Sequence, residues 1–424
     1  MSLTRRKLLT SSLAAGAALA SRKALAQPGA PAAAPAGKAA RATNLVVPNG
    51  SLLPWQQRDG AKVFHLVCES LKHTIAPGLE IEAWGYNGST PGPVIEATEG
   101  DRVRIYVTNK LPEPTSVHWH GILVPNGMDG VGGLTQPAIA PGKTFKYEFK
   151  FDRAGTFMYH PHLDEMTQIA LGMMGVIVVH PKAGERRARD YVLMSHEMKI
   201  PIGAARPDPL AMNDFNVLTF NGKAFPATEP LVAETGELVR IRLANLGPMD
   251  HHPIHFHGHT FQVVATDGGT VPPSARHPDT TVLVPVGTTR TIEFVANNPG
   301  DWPLHCHMTH HVMNQMGHEA PNVIGADMSG VDAKLGRVVP GYMTMGQAGM
   351  AEMSTMQMPQ PKNSISMLGG KGPHGMIDMG GMFTLVKVRD KLTGTGDPGW
   401  YDAPKSTVAS EASSADLTRD GIKL

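Results

Sequence analysis

Gly100-Asp101-Arg102-Val103-Arg104-Ile105 and Gly236-Glu237-Leu238-Val239-Arg240-Ile241 are two copies of one pattern, a glycine turn feeding an alternating strand. The copies stay in step downstream. Phe145-Lys146-Tyr147-Glu148-Phe149 is echoed by Thr291-Ile292-Glu293-Phe294, and Arg153-Ala154-Gly155-Thr156-Phe157 by Asn298-Pro299-Gly300-Asp301-Trp302. In each copy that glycine is followed, at the same spacing, by a His-x-His. Three matches in one order imply a duplicated β domain, one copy over 43–182 and one over 189–327, with a charged connector from Gly184 to Asp190. Val103–Val107 alternates as a half-buried strand does. Val176-Ile177-Val178-Val179 is a continuous apolar run, suited to a strand covered on both faces. The expected fold class is all-β.

Composition agrees with many short strands. The 424 residues suggest two to three domains once a leader is set aside, and 46 Gly with 35 Pro supply the turns. Lys plus Arg number 38 and Asp plus Glu 37, a balance that gives no reason to expect nucleic acid as a partner. Hydrophobic residues at 41% support packed cores, and charged ones at 18% are too few for a disordered, solvating chain. Two cysteines cannot build a disulfide framework, whereas 20 His and 24 Met are out of proportion and suggest metal ligands.

Residues 1–26 read as a leader rather than as part of the fold. Thr4-Arg5-Arg6-Lys7 precedes a mild apolar stretch through about Ala20, and Ala24-Leu25-Ala26 offers a cleavage site. The paired arginines resemble the twin-arginine export signals of bacteria, which carry folded, often cofactor-loaded proteins. A flexible linker rich in Pro, Ala and Gly follows over 27–42. No later apolar run is long enough to span a bilayer, so the expectation is a protein without a membrane span, periplasmic or otherwise exported by the twin-arginine route.

Four clusters carry the chemistry: His118-Trp119-His120, His160-Pro161-His162, His252-Pro253-Ile254-His255-Phe256-His257, and His305-Cys306-His307 with His311 and Met316 behind it. Residues i and i+2 of a strand share a face, so each His-x-His can aim two imidazoles at one site. Neutral imidazole suits copper, zinc or iron, while one thiolate beside two imidazoles and a weak thioether is a blue-copper ligand set. One such pair alone would usually be a chance surface feature. Four, matched between two repeats, point to a metal site.

At these residues the chain resembles the multicopper oxidases, over both repeats and most of 43–327. The resemblance implies two cupredoxin-like Greek-key β-sandwiches and four copper ions per functional unit. It assigns His252, Cys306, His311 and Met316 to a type 1 copper, and His118 and His255 to a type 2 copper. His120, His160, His162, His257, His305 and His307 match the six ligands of a type 3 pair. In the family, a donor gives up electrons singly at the type 1 site and O2 is reduced to water at the three-copper cluster. Cys306, flanked by His305 and His307, would join the two sites covalently, and His311 would face the donor. Asp129 matches an acid that helps move protons in relatives, or is simply the turn residue of Met128-Asp129-Gly130. A second acid, often found just after the last type 1 histidine, is replaced here by Val312. His251, His259, His310 and His318 lie beside the motifs, miss the pattern, and read as local or surface residues.

The departures narrow the reading. Pro161 holds in the first repeat the place of Cys306 in the second, and Thr115 that of His252, so the first domain lacks a type 1 ligand set. Cys68, within Phe64-His65-Leu66-Val67-Cys68, reads as a small core residue. Over 328–424 a Met-rich C-terminal extension follows. Met343, Met345, Met350, Met353, Met356, Met358, Met367, Met376, Met379 and Met382 crowd a stretch rich in Gly, Pro and Ser. A return strand is expected at 383–388, and a disordered tail from Ser406. Thioether sulfur favours Cu(I), so this segment is a candidate route for Cu(I) towards His311.

The expected function is therefore an exported oxidase that passes electrons from a small-molecule or metal-ion donor, phenol-type or Cu(I), to O2. A copper nitrite reductase, also built from two such domains, is the alternative enzyme, although it carries its type 1 site in the first domain and needs fewer histidines. Copper sequestration by the Met-rich segment is the non-enzymatic alternative. Longer family members have three domains. Here the cluster histidines split evenly between two repeats joined by a short connector, so a head-to-tail homotrimer is expected, domain one of one chain meeting domain two of the next.

Overall fold

The computed structural model describes residues 44–315, 329–335, 337–338, 361–394 and 396–424. The expected leader and linker, Met316, His318 and Met343 to Met358 lie outside the described residues.

The first repeat folds as two facing sheets. One runs Trp55–Arg58, Ala61–Ala76, Arg102–Asn109, Thr144–Lys150, with Leu79–Tyr86 paired to Ala61–Ala76. The other is four-stranded and runs Ile95–Thr98, Gly175–His180, Gly155–His160, His118–His120. Alternation decides what is buried between them. Val103, Ile105 and Val107 meet Trp119, Phe157 and Tyr159 in one core, which also holds Cys68 as expected. The apolar run at 176–179 is covered on both faces. Ile177 and Val179 face this core, while Val176 and Val178 pack with Val192, Met194, Ala244 and Leu246 of the second repeat.

The second repeat has an eight-stranded sheet built on Arg189–Met198, Leu238–Asn245, Thr288–Val295 and Phe261–Thr266. Facing it is a five-stranded sheet in the order Leu231–Glu234, Phe383–Arg389, Gly300–Cys306, His252–Phe256, Thr281–Val284. Its first four strands reproduce the four-stranded sheet of the first repeat. The parallel pairing of Leu231–Glu234 with Phe383–Arg389 matches that of Ile95–Thr98 with Gly175–His180. The return strand expected at 383–388 is thus the counterpart of Gly175–His180. The second sandwich draws a central strand from beyond residue 327, because without it Leu231–Glu234 and Gly300–Cys306 would each present an unpaired edge. At the far end, the tail expected to be disordered contains a short exposed helix, Ser414–Arg419, whose N-cap Ser413 accepts the Asp416 N–H.

Buried ion pairs reinforce the contact between repeats. Asp190 accepts Arg240 Nη1 at 3.1 Å and Arg242 Nε and Nη2 at 2.8 and 2.7 Å. Arg242 Nη1 in turn donates to Thr156 Oγ1 of the first repeat at 3.0 Å. Asp190→Ala removes the carboxylate that two buried guanidinium groups share. The expected loss is about 3 kcal/mol, the low end for a broken buried pair, because Glu185 still faces both arginines and Glu293 still pairs with Arg240. A urea titration should show it as a lower midpoint at unchanged slope.

Candidate metal centre

His252–Phe256 and Gly300–Cys306 pair antiparallel, with Ile254 opposite Cys306 and His255 opposite His305. Strand alternation then separates the ligands. His252, Ile254 and Phe256 point into the sandwich with Cys306, while His255 and His305 lie on the other face. The first repeat has the same register, His118 opposite His160.

Inside the second sandwich, Cys306 Sγ lies 3.8 Å from His252 Nδ1 and 3.5 Å from His311 Nδ1, and the two nitrogens are 3.3 Å apart. His252 and Cys306 are 0% exposed and His311, from the turn Thr309–Val312, is 8% exposed. Both distal nitrogens face carboxylates. His252 Nε2 is 3.3 Å from Glu197 Oε2, and His311 Nε2 is 3.4 Å from Asp250 Oδ2. Each ring therefore keeps its proton on Nε2 and its Nδ1 lone pair free, as a metal ligand requires. Burial pushes the Cys306 thiol up to about 12, so the thiolate forms only with a cation beside it. Two imidazole nitrogens and a sulfur converging in a buried pocket fit a blue copper ion. The expected thioether ligand, Met316, is outside the described residues.

The His311 turn is fastened from the C-terminal side. Gly381 N donates to Asn314 Oδ1 at 2.8 Å, Asn314 Nδ2 donates to Ser366 O at 3.1 Å, and Met382 N donates to His311 O at 3.0 Å. Residues 366–382 thus lie against the turn, with Ile377 and Met379 packed on the cluster that holds Val312.

The remaining eight histidines form two groups of four. In the first, His118 Nδ1 donates to the Asp129 carbonyl at 2.8 Å and His160 Nδ1 to the Pro161 carbonyl at 2.8 Å. In the second, His255 Nδ1 donates to the Thr280 carbonyl and His305 Nδ1 to the Cys306 carbonyl, both at 2.8 Å. These carbonyls fix the tautomers and leave Nε2 free to ligate. His120 Nδ1 approaches His160 Nε2 to 3.3 Å, and His257 Nε2 approaches His305 Nε2 to 3.2 Å. His162 and His307 complete the groups, with ring centroids 5.5 Å from His118 and 5.4 Å from His255. Burial pulls His160 down to about 3 and lowers His120, His257 and His305, so these rings are neutral at pH 7. Among the described residues, no ring of the first group stacks on or bonds to a ring of the second.

Asp129 ends the turn Asn126–Met128 and also places Oδ1 3.4 Å from His118 Nδ1. Thr115, where His252 would stand, donates to Gln168 Oε1 at 2.7 Å in the first core. His251 Nδ1 accepts the Val286 N–H, and His310 is exposed. His259 is not at the surface but buried, stacked on Phe256 with ring centroids 5.1 Å apart, because an apolar shelf there excludes water. The motifs did not mark Glu165, whose carboxylate oxygens lie 3.3 Å from His160 Nδ1 and 3.8 Å from His162 Nε2. Nor did they mark Glu197 and Asp250. Asp250, two residues before His252, and Glu165, three after His162, had a local signal, whereas Glu197 had none.

Two family models described as multicopper oxidase match residues 68–184 and 201–323, together more than half of the chain. Laccase-1 of Botryotinia fuckeliana is 34% identical over 237 residues, covering 52% of this chain and 41% of that protein. The chain thus spans about two fifths of the length of that relative. The crystal structure of a blue copper oxidase from Nitrosomonas europaea superposes with a TM-score of 0.56 at 26% identity, over 77% of this chain and 85% of that one. A copper nitrite reductase from the same organism gives 0.51 at 28% identity, over 59% of this chain and 90% of that one.

Proposed function

This chain belongs to the multicopper oxidase family, and from that premise we propose that it is an exported oxidase coupling one-electron oxidation of a donor to reduction of O2 to water. The convergence of Cys306, His252 and His311, with His305 and His307 on either side of the cysteine, carries this reading. Copper held by these residues supplies one-electron transfer and, at the histidine groups, reduction of O2. The chain's own residues hold and orient. His252 and His311 would offer Nδ1 and Cys306 its sulfur to the type 1 copper, with Met316 a weak thioether ligand on motif grounds. His118 and His255 are the type 2 pair, and His120, His160, His162, His257, His305 and His307 the type 3 set. His311, the less buried type 1 histidine, faces the donor, and Asp250 beside it is placed to accept the proton a phenol releases. Asp129 touches His118 and serves proton delivery on the O2 side.

The nitrite reductase reading is weaker, because the first repeat holds Thr115 and Pro161 where a type 1 site needs His and Cys. The test is the copper-loaded protein's absorption spectrum together with oxygen uptake across phenols, Cu(I) and other reducing metal ions. A blue band with donor-dependent uptake is expected. Nitrite reduction without uptake would contradict the proposal.

We place each three-copper cluster between two chains of a head-to-tail homotrimer. The even split of the eight histidines supports this, and so does exposed apolar surface beside both groups. Leu134 and Met166, 81% and 59% exposed, flank the first group, and Leu283 and Met308, 50% and 42%, flank the second. Export by the twin-arginine route rests on Arg5-Arg6 and the leader around it. No helix among the described residues is long and apolar enough to cross a membrane.

Cu(I) is the donor we favour, delivered by the Met-rich segment. Residues 366–382 brace the His311 turn, so a clean test removes only 343–358, with its six methionines. The deletion is expected to slow Cu(I) oxidation about tenfold relative to oxidation of a bulky phenol. Equal effects on both donors would leave the segment without a role in donor choice.

A further inference from the structure

Arg189–Met198 carries Glu197 into the interior of the second repeat, where the residue is 0% exposed. Its carboxylate is held from both ends. Oε1 accepts the backbone N–H groups of Met249 and Asp250, both at 2.8 Å. Oε2 lies 3.3 Å from His252 Nε2, at the back of the imidazole whose Nδ1 faces Cys306 and His311. Gly247 forms the adjoining wall, and a Cβ on it would stand 1.6 Å from Glu197 Oε2. The position of this carboxylate is built, not incidental.

We propose that Glu197 is a positioning residue of the type 1 site that lowers its reduction potential. The proposal rests on the copper reading above. Two effects act in one direction. Accepting the His252 Nε2–H fixes the ligating tautomer and makes the ring a stronger donor at Nδ1. The negative charge sits one imidazole away from the metal position, in an interior where charges are poorly screened. Both favour the oxidised ion, so the site suits readily oxidised donors. Fully buried behind His252, Glu197 does not meet the donor itself.

Glutamine cannot replace it. Three N–H groups converge on the two ends of the carboxylate, and an amide offers an acceptor at one end only. Its NH2 must face either the two backbone amides or the His252 ring.

The test is spectroelectrochemical titration of the blue band in the copper-loaded, full-length protein. For Glu197→Gln the one-electron reduction equilibrium is expected to shift about tenfold towards the reduced state, ~59 mV upward. Gly247→Ala keeps every polar group and displaces only the carboxylate, so it should shift the potential in the same direction. An unshifted potential in copper-loaded Glu197→Gln overturns the proposal. If that variant takes up no copper, an unshifted Gly247→Ala overturns it equally. Absence of a blue band from the unaltered protein would instead refute the copper reading itself.

Discussion

Cys306→Ser is expected to abolish the blue absorption and to cut donor oxidation to below ~0.1% of the unaltered rate, while the histidine groups still bind copper. Serine is nearly isosteric, so the strand and its pairing with His252–Phe256 should persist. What goes is the sulfur. A hydroxyl has no comparable charge-transfer band with copper and does not ionise to a soft ligand beside a metal ion. The route by which electrons enter goes with it, since Cys306 is the residue bonded on both sides to histidines of the second group. The variant should therefore retain copper at the histidine sites, detectable by elemental analysis, yet fail to turn over. A blue band surviving in it would remove Cys306 from the site.

The second large effect is a restoration. A variant with His118→Ala and His160→Ala destroys the first histidine group, and one with His255→Ala and His305→Ala destroys the second. Each alone should be inactive. In a head-to-tail ring, however, the intact second group of one variant meets the intact first group of the other. Co-expressed, or unfolded and refolded together, the pair should recover a substantial part of the activity, roughly a quarter if subunits mix at random. A cluster built within one chain gives no recovery, because no chain then carries both groups.

The ligand groups were legible because strand geometry is short-range. His118 with His120, and His255 with His257, need only alternation to share a face, and the duplication shows in the sequence at matched spacings. Val176–Val179 announced burial on both faces for the same reason. Long-range pairing hid the rest. Phe383–Arg389 reads as a strand, but nothing local says that it sits between Leu231–Glu234 and Gly300–Cys306. Glu197 lies 55 positions before His252 and reaches it through the parallel pairing of Arg189–Met198 with Leu238–Asn245. Gly247 then looks like any turn glycine, although its missing side chain is what admits the carboxylate. His259 reads as a local or surface residue, and nothing near it in sequence says that its ring is buried, stacked on Phe256 and tilted against Phe294.

The proposed reduction of O2 to water would show itself in an electron count. The copper-loaded protein would be given a one-electron donor in a sealed oxygen electrode, with hydrogen peroxide assayed in the same sample. Four donor molecules oxidised per O2 consumed, without peroxide, is the predicted result, since forming two waters takes four electrons. Two donors per O2 with accumulating peroxide, or no oxygen consumption from a fully copper-loaded protein, would contradict it.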